Sequence, residues 1–222
     1  MRLSDIDDSL SNRLESVKYT EKTRTWKVSK NITIDWKGVL PNPPKNTSQE
    51  TKEELEYLEK ITNNLMLGDK SLIHLVDVEP LDLYKPIFDK IGQPIPRKEF
   101  KKIWNITKPI ILNLKHQFNR ARPKQLADLL GYDIKVTRTK THHTPAYPSG
   151  HTAYAAMGAY LFSDMYPQYS SEFFQKISLA GLARCLQGVH YPSDNEASMV
   201  ISGAIWQDIR YKLFPELKPY RR

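Results

Sequence analysis

The chain has 222 residues, 40% of them hydrophobic and 10% aromatic, with 33 basic and 25 acidic side chains and a net charge of +8. This composition excludes a disordered chain. No run approaches the roughly 18 to 20 apolar residues of a membrane helix, so integral membrane association is not expected. The single cysteine, Cys185, excludes an intrachain disulfide and fits a reducing compartment. Met1 to Asp8 carry no apolar leader, which points to the cytoplasm. Excess positive charge suggests an anionic partner. The basic residues are scattered, apart from Lys218, Arg221 and Arg222, so no arm for a nucleic-acid partner is expected.

Residues 1–46 read as an irregular N-terminal extension that wraps over the core, anchored by Trp26 and Trp36. Exposed apolar side chains near 20–40 would mark a dimer contact, so a homo-oligomer is an open expectation. From residue 47 to 222 the period is helical, and one helical domain is expected there. Thr47 and Glu50 suggest a capping box before Leu55, Leu58, Ile61 and Leu65. A short helical piece covers Leu81 to Phe88. A longer helix carries Phe100, Ile103, Trp104, Ile111, Leu114 and Phe118, with a kink expected at Pro109 and an end at Pro123. After a polar loop over 131–147, a helix of small residues runs from about Ser149 to Met165. Small and apolar on nearly every side, it belongs at the centre of a bundle. The next helix starts near Ser170 with the stripe Phe173, Ile177 and Ala180. The last opens on Ser193 and Glu196 as a capping box, with Ala197, Val200, Ile201, Ala204 and Ile205 facing inward. The fold class is all-α.

Three polar clusters interrupt these stripes. Arg184 continues the stripe Phe173, Ile177, Ala180, and an arginine on an apolar face needs an anion. Asp194 opens the last helix, and His190 lies in the turn between them. The three can converge where two helices meet; the plain alternative is a buried Arg–Asp pair beside a bystander histidine. Tyr147-Pro-Ser-Gly-His-Thr152 opens the central helix, where free amides and the dipole attract anions. There Ser149 and Gly150 can donate and His151 can exchange protons; the alternative is an ordinary serine cap. Lys115-His-Gln-Phe-Asn-Arg-Ala-Arg-Pro123 places Lys115 and Arg122 seven residues apart, near a helix exit. Its alternative is a solvated basic helix end. His142 and His143 read as loop residues, Tyr147 and Tyr191 as packing, Cys185 as core, and His74 and His116 as structural.

In the order K-x6-R-P, P-S-G-H and R-x5-H-x3-D, the clusters together resemble the type 2 phosphatidic acid phosphatase superfamily. That superfamily includes the bacterial class A nonspecific acid phosphatases and the vanadium haloperoxidases. Lys115 to Asp194 carry the signature, and similarity to the acid phosphatases extends over about 47–213. One position departs: Ala183 stands where the family often has serine before the arginine. The resemblance implies a helical bundle of the acid phosphatase type and a phosphoric monoester hydrolase acting on a small phosphorylated substrate. It implies that Lys115, Arg122 and Arg184 bind phosphoryl oxygens, with Ser149 and the Gly150 amide as neutral donors. It also implies that His190 is the nucleophile, that Asp194 orients it, and that His151 is the general acid and base. No metal or other cofactor is expected, and vanadate should act as an inhibitor.

Two readings compete with this one. A vanadate-dependent haloperoxidase would use the same anion pocket, and a non-catalytic basic module would bind polyanions without turnover. The motif histidines argue against the second, because phosphate binding alone does not need them. A promiscuous phosphatase without a leader would drain metabolites, so a narrower substrate, such as a nucleotide, is expected.

Overall fold

The computed structural model describes residues 8–137 and 142–217. Among them the chain forms α1 (Asp8–Ser16), α2 (Gln49–Thr62), α3 (Leu67–Val78), α4 (Lys85–Ile91), α5 (Arg97–Phe118), α6 (Pro123–Leu130), α7 (Gly150–Met165), α8 (Ser170–Leu186) and α9 (Pro192–Leu213). Short 3-10 turns join them, and no strand occurs among the described residues. The first seven residues, the basic tail at Lys218, Arg221 and Arg222, and 138–141 of the polar loop lie outside the described residues.

The segment of small residues is the centre of the bundle. Ala153, Ala155, Ala156 and Ala159 of α7 are fully buried, and α7 packs against α8, α9 and α5. A Cβ on Gly158 would meet Tyr84 and Leu81 at 3.1 and 3.2 Å. Glycine there lets the turn Pro80–Tyr84 lie directly on the helix. Tyr84, Phe88, Phe162 and Phe173 then interlock, edge to face or tilted, in one aromatic cluster. Burying each such ring contributes about 1.5–3 kcal/mol.

Residues 28–40 pack on this core through Val28, Ile32, Ile34, Trp36 and Val39, and Leu40 is buried in it. Asn113 of α5 fixes the Trp26 backbone: the Trp26 amide donates to Asn113 Oδ1 (2.7 Å), and Asn113 Nδ2 donates to the Trp26 carbonyl (2.8 Å). The apolar side chains expected to mark a dimer contact near 20–40 are therefore turned inward. Met66, Leu67, Val78 and Val200 are among the exposed ones instead.

Several boundaries differ from the sequence reading. Ser48, not Thr47, caps α2 by accepting from the Thr51 amide at 3.2 Å, because Thr47 is held by Glu15. Pro109 sits inside α5 without ending it. That helix stops at Phe118, where Asn119 turns left-handed (φ 50°). Pro123 starts α6 instead, at a position where its missing N–H costs nothing. In the same way Pro192 opens α9 after Tyr191, and the capping carboxylate is Asp194, which accepts from the Tyr191 amide at 3.0 Å. Ser193 and Glu196 do not form the cap. Val200, expected inside, is 54% exposed, while Ser198 and Ser202 face inward. Ser198 donates to the Ser149 carbonyl at 2.8 Å, so α9 grips the start of α7.

Candidate active site

Three chain segments meet at one cleft of about 450 Å³. Its lining includes Lys115 at the end of α5, Arg122 before α6, Gly150 and His151 at the start of α7, and His190 before α9. Local structure explains the convergence. The left-handed Asn119 turns the chain back after α5. Gly188 adopts φ +73°, and a Cβ there would sit 2.6 Å from the Lys135 carbonyl oxygen. Only glycine fits this turn, which delivers His190 from α8 to the cleft.

His190 is buried between two partners. Its Nδ1 lies 2.9 Å from Asp194 Oδ2, and its Nε2 lies 2.9 Å from Arg122 Nη1. A guanidinium only donates, so Nε2 must accept. The ring proton is therefore on Nδ1 and is donated to Asp194. The Nε2 lone pair faces the cation. Burial, then Arg122, Lys115 and Arg184, hold His190 well below the usual histidine range. The ring is therefore neutral at physiological pH.

The cations are packed at high cost. Lys115 is 3% exposed and donates to the carbonyls of Pro145 (2.6 Å) and Ala146 (3.1 Å). An ammonium has three donors, so one remains. Burial, then the Arg122 charge, push Lys115 well below the usual lysine range. Arg122 donates from Nε to Thr144 O (2.9 Å) and from Nη1 to Val189 O (2.5 Å). Its Nη2 has no partner among the described residues. Burial brings Arg122 down to about 10 despite Asp194. An anion entering the cleft would relieve this crowding of like charge.

His151 lines the same cleft. Burial, then Arg184, push its pKa down to about 3, against the opposing pull of Asp77. An empty site therefore holds it neutral. A phosphoryl group that neutralises the cations would raise its affinity for a proton.

Other expected contacts are placed differently. Arg184 does not pair with Asp194. It is 1% exposed, donates to Asp77 Oδ1 of α3 at 2.9 Å, and also donates to Gln187. Its charge still depresses both histidines. Asp194 is paired instead with Arg120, Nη1 to Oδ1, at 2.8 Å. The Ser149 hydroxyl is buried at the cap of α7. It lies 3.0 Å from Thr152 Oγ1, whose own proton goes to Asn195 Oδ1 (2.7 Å). The Ser149 proton is thus used toward Thr152, and the hydroxyl is not free for the cleft in this arrangement. Gly150 does reach the cleft, and a Cβ there would touch Lys115 Cε at 3.8 Å.

Sequence reasoning missed Arg120, Glu54 and Asp77. Arg120 is buried, stacks on the Tyr191 ring (3.8 Å to its centroid) and bridges Asp194 to Glu54 Oε2 (2.9 Å). Burial raises the pKa of Glu54 against the Arg120 charge. The signal was present: Glu54 lies beside Leu55 and Leu58 on the buried stripe of α2, and Asp77 follows Ile73 by one turn on α3. His142 and His143 stack on each other at 4.9 Å, Tyr147 donates to the Pro41 carbonyl (3.1 Å), and His116 packs on Trp26. Cys185 is buried, and burial raises its pKa well above the usual thiol range, so it is unreactive. Among the described residues, no three His, Cys, Asp or Glu side chains are grouped to hold a metal ion.

A neutral imidazole aimed at a buried cation pocket, beside a helix start and a second histidine, defines the class: an all-α phosphoryl-transfer site. Comparison with known proteins places it further. The model of the PAP2 superfamily matches residues 105–216, across all three clusters. The non-specific acid phosphatase of Salmonella typhimurium is 25% identical over 179 residues, covering 75% of this chain and 69% of that protein. The non-specific acid phosphatase of Providencia stuartii is 23% identical over 197 residues, covering 84% and 79%. The crystal structure of a transmembrane PAP2-type phosphatidylglycerolphosphate phosphatase from Bacillus subtilis shares the fold at a TM-score of 0.50 and 15% identity, over 78% of this chain and 90% of that one. No helix among the described residues is long and apolar enough to cross a membrane. The chain belongs to the PAP2 superfamily, and it is a phosphoric monoester hydrolase of the acid phosphatase type.

Proposed function

We propose that the protein hydrolyses phosphate monoesters of small metabolites, nucleotides among them, in two steps through a phosphohistidine on His190, without a metal ion. One observation carries this reading. Arg122 donates to His190 Nε2 while Asp194 takes the proton of Nδ1, so the lone pair points at a phosphate-binding cation.

In the first step the phosphoryl oxygens engage Lys115, Arg122 and the Gly150 amide, with the Arg184 charge close behind. Arg122 shifts from Nε2 to the anion and frees the lone pair. Nε2 attacks phosphorus, the P–O bond to the alcohol breaks, and His151 gives its proton to the departing alkoxide. Asp194 stabilises the imidazolium character that develops. In the second step neutral His151 takes a proton from water, which attacks phosphorus and releases His190 and phosphate. The fixed cations stabilise the charge of both transition states, the task that metal ions perform in other phosphatases.

Rapid quench into alkaline denaturant during turnover tests the reading. The wild type should yield an acid-labile, base-stable phosphoprotein, and His190→Ala should yield none. Phosphorylated His190→Ala, or a wild type that never carries phosphate in quenches faster than turnover, would overturn it.

A further inference from the structure

The cleft continues beyond the phosphoryl pocket, and its outer wall has a composition of its own. Trp104, Lys108, Leu112 and Lys115 line it from α5. Spaced by four, four and three residues, they lie on one helix face. At 1.5 Å per residue, Lys108 sits about 10 Å along the helix from Lys115. On the facing helix, His151 and Tyr154 are three residues apart, and both line the cleft. Tyr154 therefore stands one helical turn from the side chain proposed to protonate the leaving alcohol. The Tyr154 ring meets Trp104 edge to face at 4.8 Å. Together they present a partly exposed aromatic corner to the cleft.

The charges on this wall are not equivalent. Glu79 is engaged by Arg97 at 3.1 Å and accepts from Tyr154 Oη at 3.3 Å. Lys108 is exposed and has no ion-pair partner among the described residues. The outer wall thus offers flat apolar surface and one cation that the protein does not neutralise.

Building on the phosphatase reading, we infer that this wall is a leaving-group subsite. It favours phosphomonoesters of aromatic alcohols that carry a second negative charge. The aromatic part packs on Trp104 and Tyr154, and the second anion meets Lys108. Simple aliphatic phosphates fill only the inner pocket and use none of this surface.

The test is a matched substrate set: 4-carboxyphenyl phosphate, its neutral methyl ester and glycerol 2-phosphate. Each is measured with the wild type and with Lys108→Gln, Lys108→Arg and Trp104→Leu. Comparing variants on each substrate cancels intrinsic leaving-group reactivity. Lys108→Gln should lower kcat/KM for the carboxylate relative to its methyl ester by about fivefold, the size of a partly exposed ion pair. Lys108→Arg should restore the ratio, and 0.5 M salt should collapse it. Trp104→Leu should lower both aryl esters relative to glycerol 2-phosphate by about three- to tenfold, the size of an aromatic contact. Variants that shift all three substrates alike would overturn the subsite while leaving the phosphatase reading intact. A wild type that hydrolyses none of the three would overturn the phosphatase reading and the subsite with it.

Discussion

Arg120 holds Asp194 from the side opposite His190, with Nη1 2.8 Å from Oδ1, and its other amino group is tied to Glu54. The carboxylate that holds the His190 ring is therefore itself held, by a buried cation that is not part of the cleft lining. Despite burial, which disfavours the charge, Asp194, Tyr191 and Glu54 raise the Arg120 pKa above the usual arginine value.

Arg120 is accordingly the anchor of two buried carboxylates. Arg120→Met should destabilise the fold by about 3–5 kcal/mol, because two buried carboxylates lose their partner. The double variant Arg120→Met, Glu54→Gln should recover part of that loss. Urea unfolding of the wild type and both variants measures this. A loss below 1 kcal/mol, near the value of a surface pair, would contradict the arrangement.

The two histidines should separate by leaving group. His151→Ala removes the proton donor, worth about 10²- to 10⁴-fold on an alkyl phosphate. An activated aryl phosphate needs little protonation, so that variant should still form the phosphohistidine from it and then hydrolyse it slowly. Stopped quench with both esters measures the difference. Equal losses on the two would remove His151 from the role of acid.

The pH dependence of stability has a definite sign. Burial, followed by the neighbouring cations, lowers the pKa of His151 to about 3 and that of His190 well below its normal range. The unfolded chain, with histidines near 6.5, binds protons that the folded chain refuses. This contribution is complete above about pH 6.5 and is lost as pH falls toward the folded value. Between those limits His151→Gln should flatten the stability slope by about 1.4 kcal/mol per pH unit relative to wild type. Denaturant titrations at pH 4.5, 5.5 and 7.5 would show it. An unchanged slope would mean that His151 is not held neutral.

Anion binding should move the same group. With phosphate or vanadate in the cleft, the charge on Lys115, Arg122 and Arg184 is offset, and the His151 ring should titrate well above its value in the empty site. Ring-proton NMR with and without vanadate reads this directly. Vanadate should compete with substrate, Arg122→Ala should weaken it, and EDTA should leave turnover intact. Loss of activity in EDTA, restored by a divalent ion, would defeat the metal-free reading.

Helical period and local spacing were enough to place the central helix, the stripe of α8 and the three polar clusters. Small residues on every side of α7 can only be buried, and an arginine at the next step of an apolar stripe has to meet an anion. The family resemblance rested on the same short spacings. Helix starts were less legible. At α6 and α9 a proline at the first turn, rather than a serine, sets the boundary, and the capping carboxylate at α9 is the one that also holds His190.

Which charge pairs with which was decided by tertiary structure. Arg184 was expected to converge with Asp194 where α8 meets α9, because one continues an apolar stripe and the other opens the next helix; it pairs with Asp77, 107 residues away. Asp194 pairs with Arg120, 74 residues away. Ser149, read as a free donor, spends its hydroxyl on Thr152 because Asn195 of α9 takes the proton of Thr152. A buried ion pair is stable only where packing removes water from both partners at once and brings the opposite charges close enough to offset that cost. That condition depends on how α2, α3, α5, α8 and α9 meet in space, and no period along a single helix contains it.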